Sequence, residues 1–157
     1  MSRSLRLLVA AATVGVVLAV GCADEDETVA PASGSASSTG ADTSLVTTRT
    51  PNDTVTVRLD SYTVTPDKPS VARGAIKFVA TNIHASEVHE LAVLRVMPDG
   101  SRVNTGEVED IGPRASGEVT LDLPSGVYEL ACIIPKGEAG STVDHYLVGM
   151  YTPFEVR

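Results

Sequence analysis

The segment Tyr128-Glu129-Leu130-Ala131-Cys132-Ile133-Ile134-Pro135, followed by a Gly-containing loop and then by His145-Tyr146-Leu147-Val148-Gly149-Met150-Tyr151, decides how the rest of the chain is read. Before the loop, Tyr128, Leu130 and Cys132 fall on one side of an alternating run. After it, Met150, Thr152, Phe154 and Val156 do the same. Two strands and their connection thus bring a thiol and a thioether, facing inward, to the same end of a sheet, with His145 between them in sequence. His89 leads an earlier apolar run. A thiolate, two imidazoles and a thioether span soft and borderline donors, so His89, Cys132, His145 and Met150 are candidate metal ligands. Singly, each has a plainer explanation: a core thiol, a core filler, a hydrogen-bonded strand histidine, a loop histidine. The joint pattern is what points to a metal.

Working outward, the flanking chain reads as short strands. Val55, Val57 and Leu59 alternate with Thr56 and Arg58, and a slip of parity near Asp60-Ser61, before Tyr62 and Val64, predicts a bulge. Pro66-Asp67-Lys68-Pro69 is turn chemistry, Ser70 to Arg73 a short strand, and Ile76, Phe78 and Ala80 a longer one running into Asn82. A loop with His84 and Glu87 leads to His89-Glu90-Leu91-Ala92-Val93-Leu94, whose apolar residues of both parities predict a central strand covered on both faces. Gly106 to Ile111 is acidic and weakly patterned, an edge strand or loop, and Val119, Leu121 and Leu123 give one more strand. Seven or eight strands with frequent turns and no amphipathic helix predict an all-β Greek-key sandwich.

From about Asn52 to Arg157 the chain resembles the cupredoxin family. The resemblance rests on Asn82 and a short loop into His89-Glu90-Leu91, on Gly126-Val127-Tyr128-Glu129-Leu130-Ala131-Cys132, and on His145-Tyr146-Leu147-Val148-Gly149-Met150. It implies a cupredoxin-like sandwich in which His89, Cys132, His145 and Met150 hold one copper ion. It also implies an intense colour from the Cys132 thiolate, a backbone donor near Asn82 that steadies the sulfur, and electron exchange with another redox protein. One departure stands out: twelve residues separate Cys132 from His145, where small electron-carrying members have only a few. Lys136-Gly137-Glu138-Ala139-Gly140-Ser141 reads as a flexible excursion. His84 is expected at the surface, with an added ligand in a non-blue copper site as its alternative. No substrate pocket or acid-base pair is legible, so the expectation is a non-enzymatic carrier. The competing functions are copper delivery, storage or sensing, and a metal-free interaction module.

The N-terminus reads as an export signal. Arg3 and Arg6 precede an uncharged apolar run from Leu7 to Val20, too short to span a bilayer comfortably. Leu18-Ala19-Val20-Gly21-Cys22 resembles a bacterial lipobox, although the usual Leu position holds Ala19. Residues 1–21 are therefore expected to be a lipoprotein signal peptide and Cys22 the lipidated residue, with an ordinary secretory signal as the alternative. Residues 22–51, acidic at first and then rich in Ser, Thr, Ala and Gly, lack the apolar side chains that could offset ordering entropy, so they are expected to form a disordered tether to a domain at 52–157. The expected location is the cell membrane, lipid-anchored on its extracytoplasmic side.

With 20 acidic against 12 basic residues the chain carries a formal charge of -8, and removing the signal removes two Arg and no acid. Such a surface argues against nucleic acid as a partner. There are two cysteines; if Cys22 is lipidated, Cys132 has no disulfide partner.

Overall fold

A computed structural model describes residues 44–157. The expected signal peptide, Cys22 and most of the expected tether lie outside the described residues. Two sheets face each other, and no helix occurs among the described residues. In the first, β1 (Asp53–Asp60) lies between β2 (Thr63–Pro66) and β4 (Gly74–Asn82), with β7 (Ser116–Leu123) outermost. The second runs β3 (Ser70–Val71), β9 (Tyr151–Val156), β8 (Gly126–Ala131), β5 (His89–Val96), β6 (Arg102–Ile111). β1 and β4 pair in parallel, as do β3 and β9; the other ladders are antiparallel.

The alternation read in the sequence is the alternation of burial. Val55, Val57 and Leu59 of β1 are buried and Thr54, Thr56 and Arg58 exposed. They meet Phe78, Leu121, Tyr128, Leu130 and Phe154 in one core, where the Phe78 and Phe154 rings pack edge to face with centroids 5.8 Å apart. Tyr128 is fully buried, and its hydroxyl donates to the Pro124 carbonyl at 2.9 Å, closing the turn before β8.

Two sequence expectations need correction, and a third is decided between its alternatives. The parity slip at Asp60-Ser61 is a chain reversal and not a bulge: Asp60 pairs with Thr63, so Ser61-Tyr62 is a two-residue turn between β1 and β2. A hairpin and a bulge both shift parity, and the Asp60 carboxylate, accepting the Ser61 N–H at 3.0 Å, favours the turn. The segment from Gly106 belongs to a ten-residue edge strand, β6, whose two register shifts against β5 blur its alternation. Lastly, packed chain begins before Asn52. Leu45 donates its N–H to Thr105 O (2.7 Å), Thr47 donates to Thr120 O (2.8 Å), and Val46 bridges Leu121. This strap adheres because Leu45 and Val46 are its apolar residues and because Gly106, lacking a side chain, leaves room beside Val46 and Leu121.

β5 is interior, as its double-sided apolar pattern requires. Leu91 and Val93 enter the main core, while Ala92 and Leu94 face the other way and are covered by Ala131, Ile133 and Tyr146. The loop that follows Cys132 therefore supplies the second cover.

Candidate metal centre

At one end of the sandwich, β5 starts, β8 ends and β9 begins, and three buried donors meet there. Cys132 Sγ lies 3.3 Å from His145 Nδ1 and 4.0 Å from His89 Nδ1, and the two Nδ1 atoms are 3.3 Å apart. Cys132 and His89 are fully buried and His145 is 1% exposed. Donors bound at about 2.0–2.3 Å to a single ion stand roughly 3.3–3.8 Å from one another; the two 3.3 Å separations meet this, and the 4.0 Å between Cys132 and His89 needs only a small inward shift for the three to share one metal. The donor types fit a soft-to-borderline transition metal able to accept both thiolate and imidazole, copper among them.

Each ligand is placed by a local device. Asn82, buried at the end of β4, donates from Nδ2 to the Glu87 and Ile111 carbonyls (2.8 Å each) and accepts the His84 N–H at 2.9 Å. It pins the 83–88 loop and so fixes where His89 enters. The expectation that a donor near Asn82 steadies the sulfur is thereby corrected: the Glu90 N–H reaches Sγ at 3.4 Å. The β5–β8 ladder begins only at Ala92, paired with Ala131, so the Glu90 amide on that side has no backbone partner in the ladder and meets the sulfur instead. On the other side, Asp144 Oδ1 accepts the Leu147 N–H, the Val148 N–H bonds to the Asp144 carbonyl, and Gly149 turns back with φ +99°. Met150 then donates its N–H to His145 O (2.9 Å) while its own carbonyl accepts the Cys132 N–H (3.0 Å). The Met150 side chain is fully buried in the core cluster that contains Cys132.

Burial governs the electrostatics. It pushes the Cys132 thiol up to about 11, against the pull of the Glu90 and Ile134 amides. It lowers His89 to about 4, helped by the neighbouring His145, and it lowers His145 also. Both imidazoles are consequently neutral near neutral pH, with lone pairs available to a metal, whereas the thiol must lose its proton on binding.

His84 is half-buried, less exposed than expected. Its Nδ1 accepts the N–H groups of Ser86 (3.3 Å) and Glu87 (2.9 Å), which gives it a role in shaping the loop, although His84, Glu87 and His89 form a second group with potential ligand atoms within 4.8 Å of one another. The loop from Lys136 to Gly140 is exposed, as expected of an excursion, yet its end returns to the site: Ser141 Oγ meets His145 Nε2 at 2.9 Å. A crevice of about 160 Å³ lies between this segment and Ser86-Glu87-Val88, with His145 in its lining. Tyr62 packs its edge on His145 with ring centroids 5.1 Å apart. Strand periodicity gave no signal for Ser61, Tyr62, Glu90 or Ser141; the parity slip at Ser61 was the one trace.

The two sheets and the Cys-loop-His-turn-Met connection between β8 and β9 constitute a cupredoxin fold. Among solved structures, auracyanin B is similar, with 20% identity and a TM-score of 0.55 over 73% of this chain and 95% of that one. The auracyanin of Roseiflexus castenholzii (18% identity, TM-score 0.49, 67% and 95% coverage) and the "blue" copper protein auracyanin A of Chloroflexus aurantiacus (17%, 0.49, 66% and 98%) also align. At such identities the likeness is one of fold. No protein-family model and no curated protein matches the sequence.

Proposed function

We propose that the chain is a type 1-like copper protein that carries single electrons, anchored through Cys22 to the extracytoplasmic side of the cell membrane. The observation that carries this reading is the convergence of His89 Nδ1, His145 Nδ1 and Cys132 Sγ in a buried pocket, with a backbone N–H directed at the sulfur. Copper, when bound, supplies a one-electron couple between Cu(II) and Cu(I). The chain supplies the rest. Sheet ladders and the Met150–Cys132 and Met150–His145 backbone bonds hold the donors in one arrangement for both states, and burial keeps water away. Met150 is assigned as a weak axial ligand, on its position in the Cys-His-Met connection. The partner is another redox protein; the acidic chain disfavours nucleic acid.

The test is addition of Cu(II) to the purified chain, followed by visible and electron-spin spectroscopy. One copper per chain with an intense visible band is expected. A chain that takes up no stoichiometric copper would instead be a metal-free interaction module. The exposed Lys136 to Gly140 excursion beside His145 favours a second reading, copper delivery or storage. Fast release to a chelator with slow electron self-exchange would select it.

A further inference from the structure

The two imidazoles face the site with the same nitrogen, and on the far side of each ring stands a serine. Ser61 Oγ lies 3.2 Å from His89 Nε2 and donates its own proton in a close hydrogen bond to Glu87 Oε2. The same carboxylate has the Tyr62 hydroxyl at 3.5 Å. An ionised carboxylate only accepts, so the Ser61 proton is committed to it and the hydroxyl has only lone pairs left for His89. Ser141 repeats the logic with a different acceptor. Its Oγ donates to the Val143 carbonyl at 2.8 Å, accepts the Val143 N–H at 3.3 Å, and stands 2.9 Å from His145 Nε2. Its proton is committed too.

We infer that Ser61 and Ser141 are positioning residues that fix both histidines as the Nε2–H tautomer, so that both bare Nδ1 atoms are presented to the metal. In each ring Nε2 is left facing a hydroxyl that can only accept, so it must carry the hydrogen; Nδ1 then has a free lone pair facing Cys132. Metal-ligating histidines commonly give their remote N–H to a carboxylate or carbonyl, which sets ring orientation and raises ligand basicity. Here a serine is interposed, relaying His89 to Glu87 and His145 to the Val143 carbonyl. Two consequences follow. The apo chain already holds the donor geometry, which lowers the reorganisation needed on binding. The long excursion after Cys132, at first sight a threat to a rigid site, ends in the residue that orients His145.

This rests on the copper reading only for its metal arm, and the two can fail separately. The first measurement needs no metal: long-range proton-nitrogen correlation on the full chain with labelled histidines. Protonated Nε2 and bare Nδ1 are expected for His89 and His145; a protonated Nδ1 in either would overturn the inference even if the chain binds copper. In Ser141→Ala the His145 resonances should shift to a mixture of tautomers with His89 unchanged, Ser61→Ala should do the reverse, and the threonine variants should restore the pattern. With Cu(II) added, copper affinity should fall about tenfold to a hundredfold in each alanine variant and recover in the threonine one. Alanine variants whose tautomers and affinity match those of the parent chain would also overturn it. Because Ser141 sits on an exposed loop, its variant remains informative should Ser61→Ala fail to fold. Tautomers as assigned in a chain that ignores copper would sink the proposed function and leave this inference standing.

Discussion

Glu90 serves the site from both ends of one residue. Its amide reaches the Cys132 sulfur, and its buried carboxyl group accepts the Ile133 N–H at 2.9 Å. Burial raises that carboxyl from 4.5 to about 7. The folded state thus keeps a proton that the unfolded chain releases earlier, so stability present below pH 4.5 is lost as pH climbs to about 7, by about 3 kcal/mol at most. His89 acts in the opposite window: its folded value near 4 against 6.5 removes stability as pH falls from 6.5 towards 4. Glu90→Gln should leave metal-free stability near pH 4.5 unchanged and raise it at pH 8. Urea midpoints at the two pH values measure this, and equal pH slopes in variant and parent would refute it. At the ligands, Cys132→Ser exchanges a soft donor for a hard one and should abolish the visible band, even if some copper stays on the imidazoles. Met150→Leu should keep the band and raise the reduction potential. A band surviving in the serine variant, or copper lost altogether from the leucine one, would remove those residues from the site.

Between Asp144 and Met150 a single capped turn does what a strand cannot, bringing β9 back under His145 within a few residues. Gly149 makes this possible: at φ +99° a side chain is strained, although nothing lies within 4 Å of where a Cβ would be. Gly100 has a similar φ of +84° and equally open surroundings, but it sits in the turn before β6. Alanine at either glycine should cost about 1–2 kcal/mol in urea unfolding, while only Gly149→Ala shifts the visible spectrum of the copper-loaded chain. Identical spectra would mean that the turn does not set the site. Period-two burial made most strands legible beforehand, together with the ligand-bearing loop, because alternation directly reflects which side faces the core. What escaped lies where regular alternation or pairing stops: the Ser61-Tyr62 reversal, the register shifts of β6, and the Glu90 amide beyond the end of the β5–β8 ladder. Hydroxyl contacts such as that of Ser141 depend on loop conformation and leave no periodic mark.

For the molecule as a whole, the core of Phe78, Leu121, Tyr128, Leu130 and Phe154 is assembled from the strands without any metal. The apo chain should therefore fold, and a ligand at a hundred times its dissociation constant should add about 2.7 kcal/mol by mass action. An apo chain without dispersed amide resonances would contradict this. Cys22→Ser should release the protein from membranes or block its processing, and a variant still fully membrane-bound would end the lipid-anchor proposal.

The strap at Leu45–Thr47 has a mechanical consequence. It bridges Leu121, which pairs with Ile76 near the start of β4, whereas Asn82 at the other end of β4 holds the loop into His89. Tension drawn through the N-terminal chain is met, before it reaches β1, by contacts that include the amide hydrogen bonds Leu45 to Thr105, Thr47 to Thr120, Asp122 to Leu45 and Asn52 to Ala75 and the Arg49–Asp122 ion pair. Every candidate ligand lies downstream of β1 in sequence, and His89, the one placed on a strand, belongs to the opposite sheet from β1. Stretched from its N-terminus in an optical trap, a copper-loaded chain should give a short first extension as the strap peels, with the metal signal intact. The strap is thus a mechanical fuse, yielding under a tug on the N-terminal chain before the force can reach the candidate metal centre.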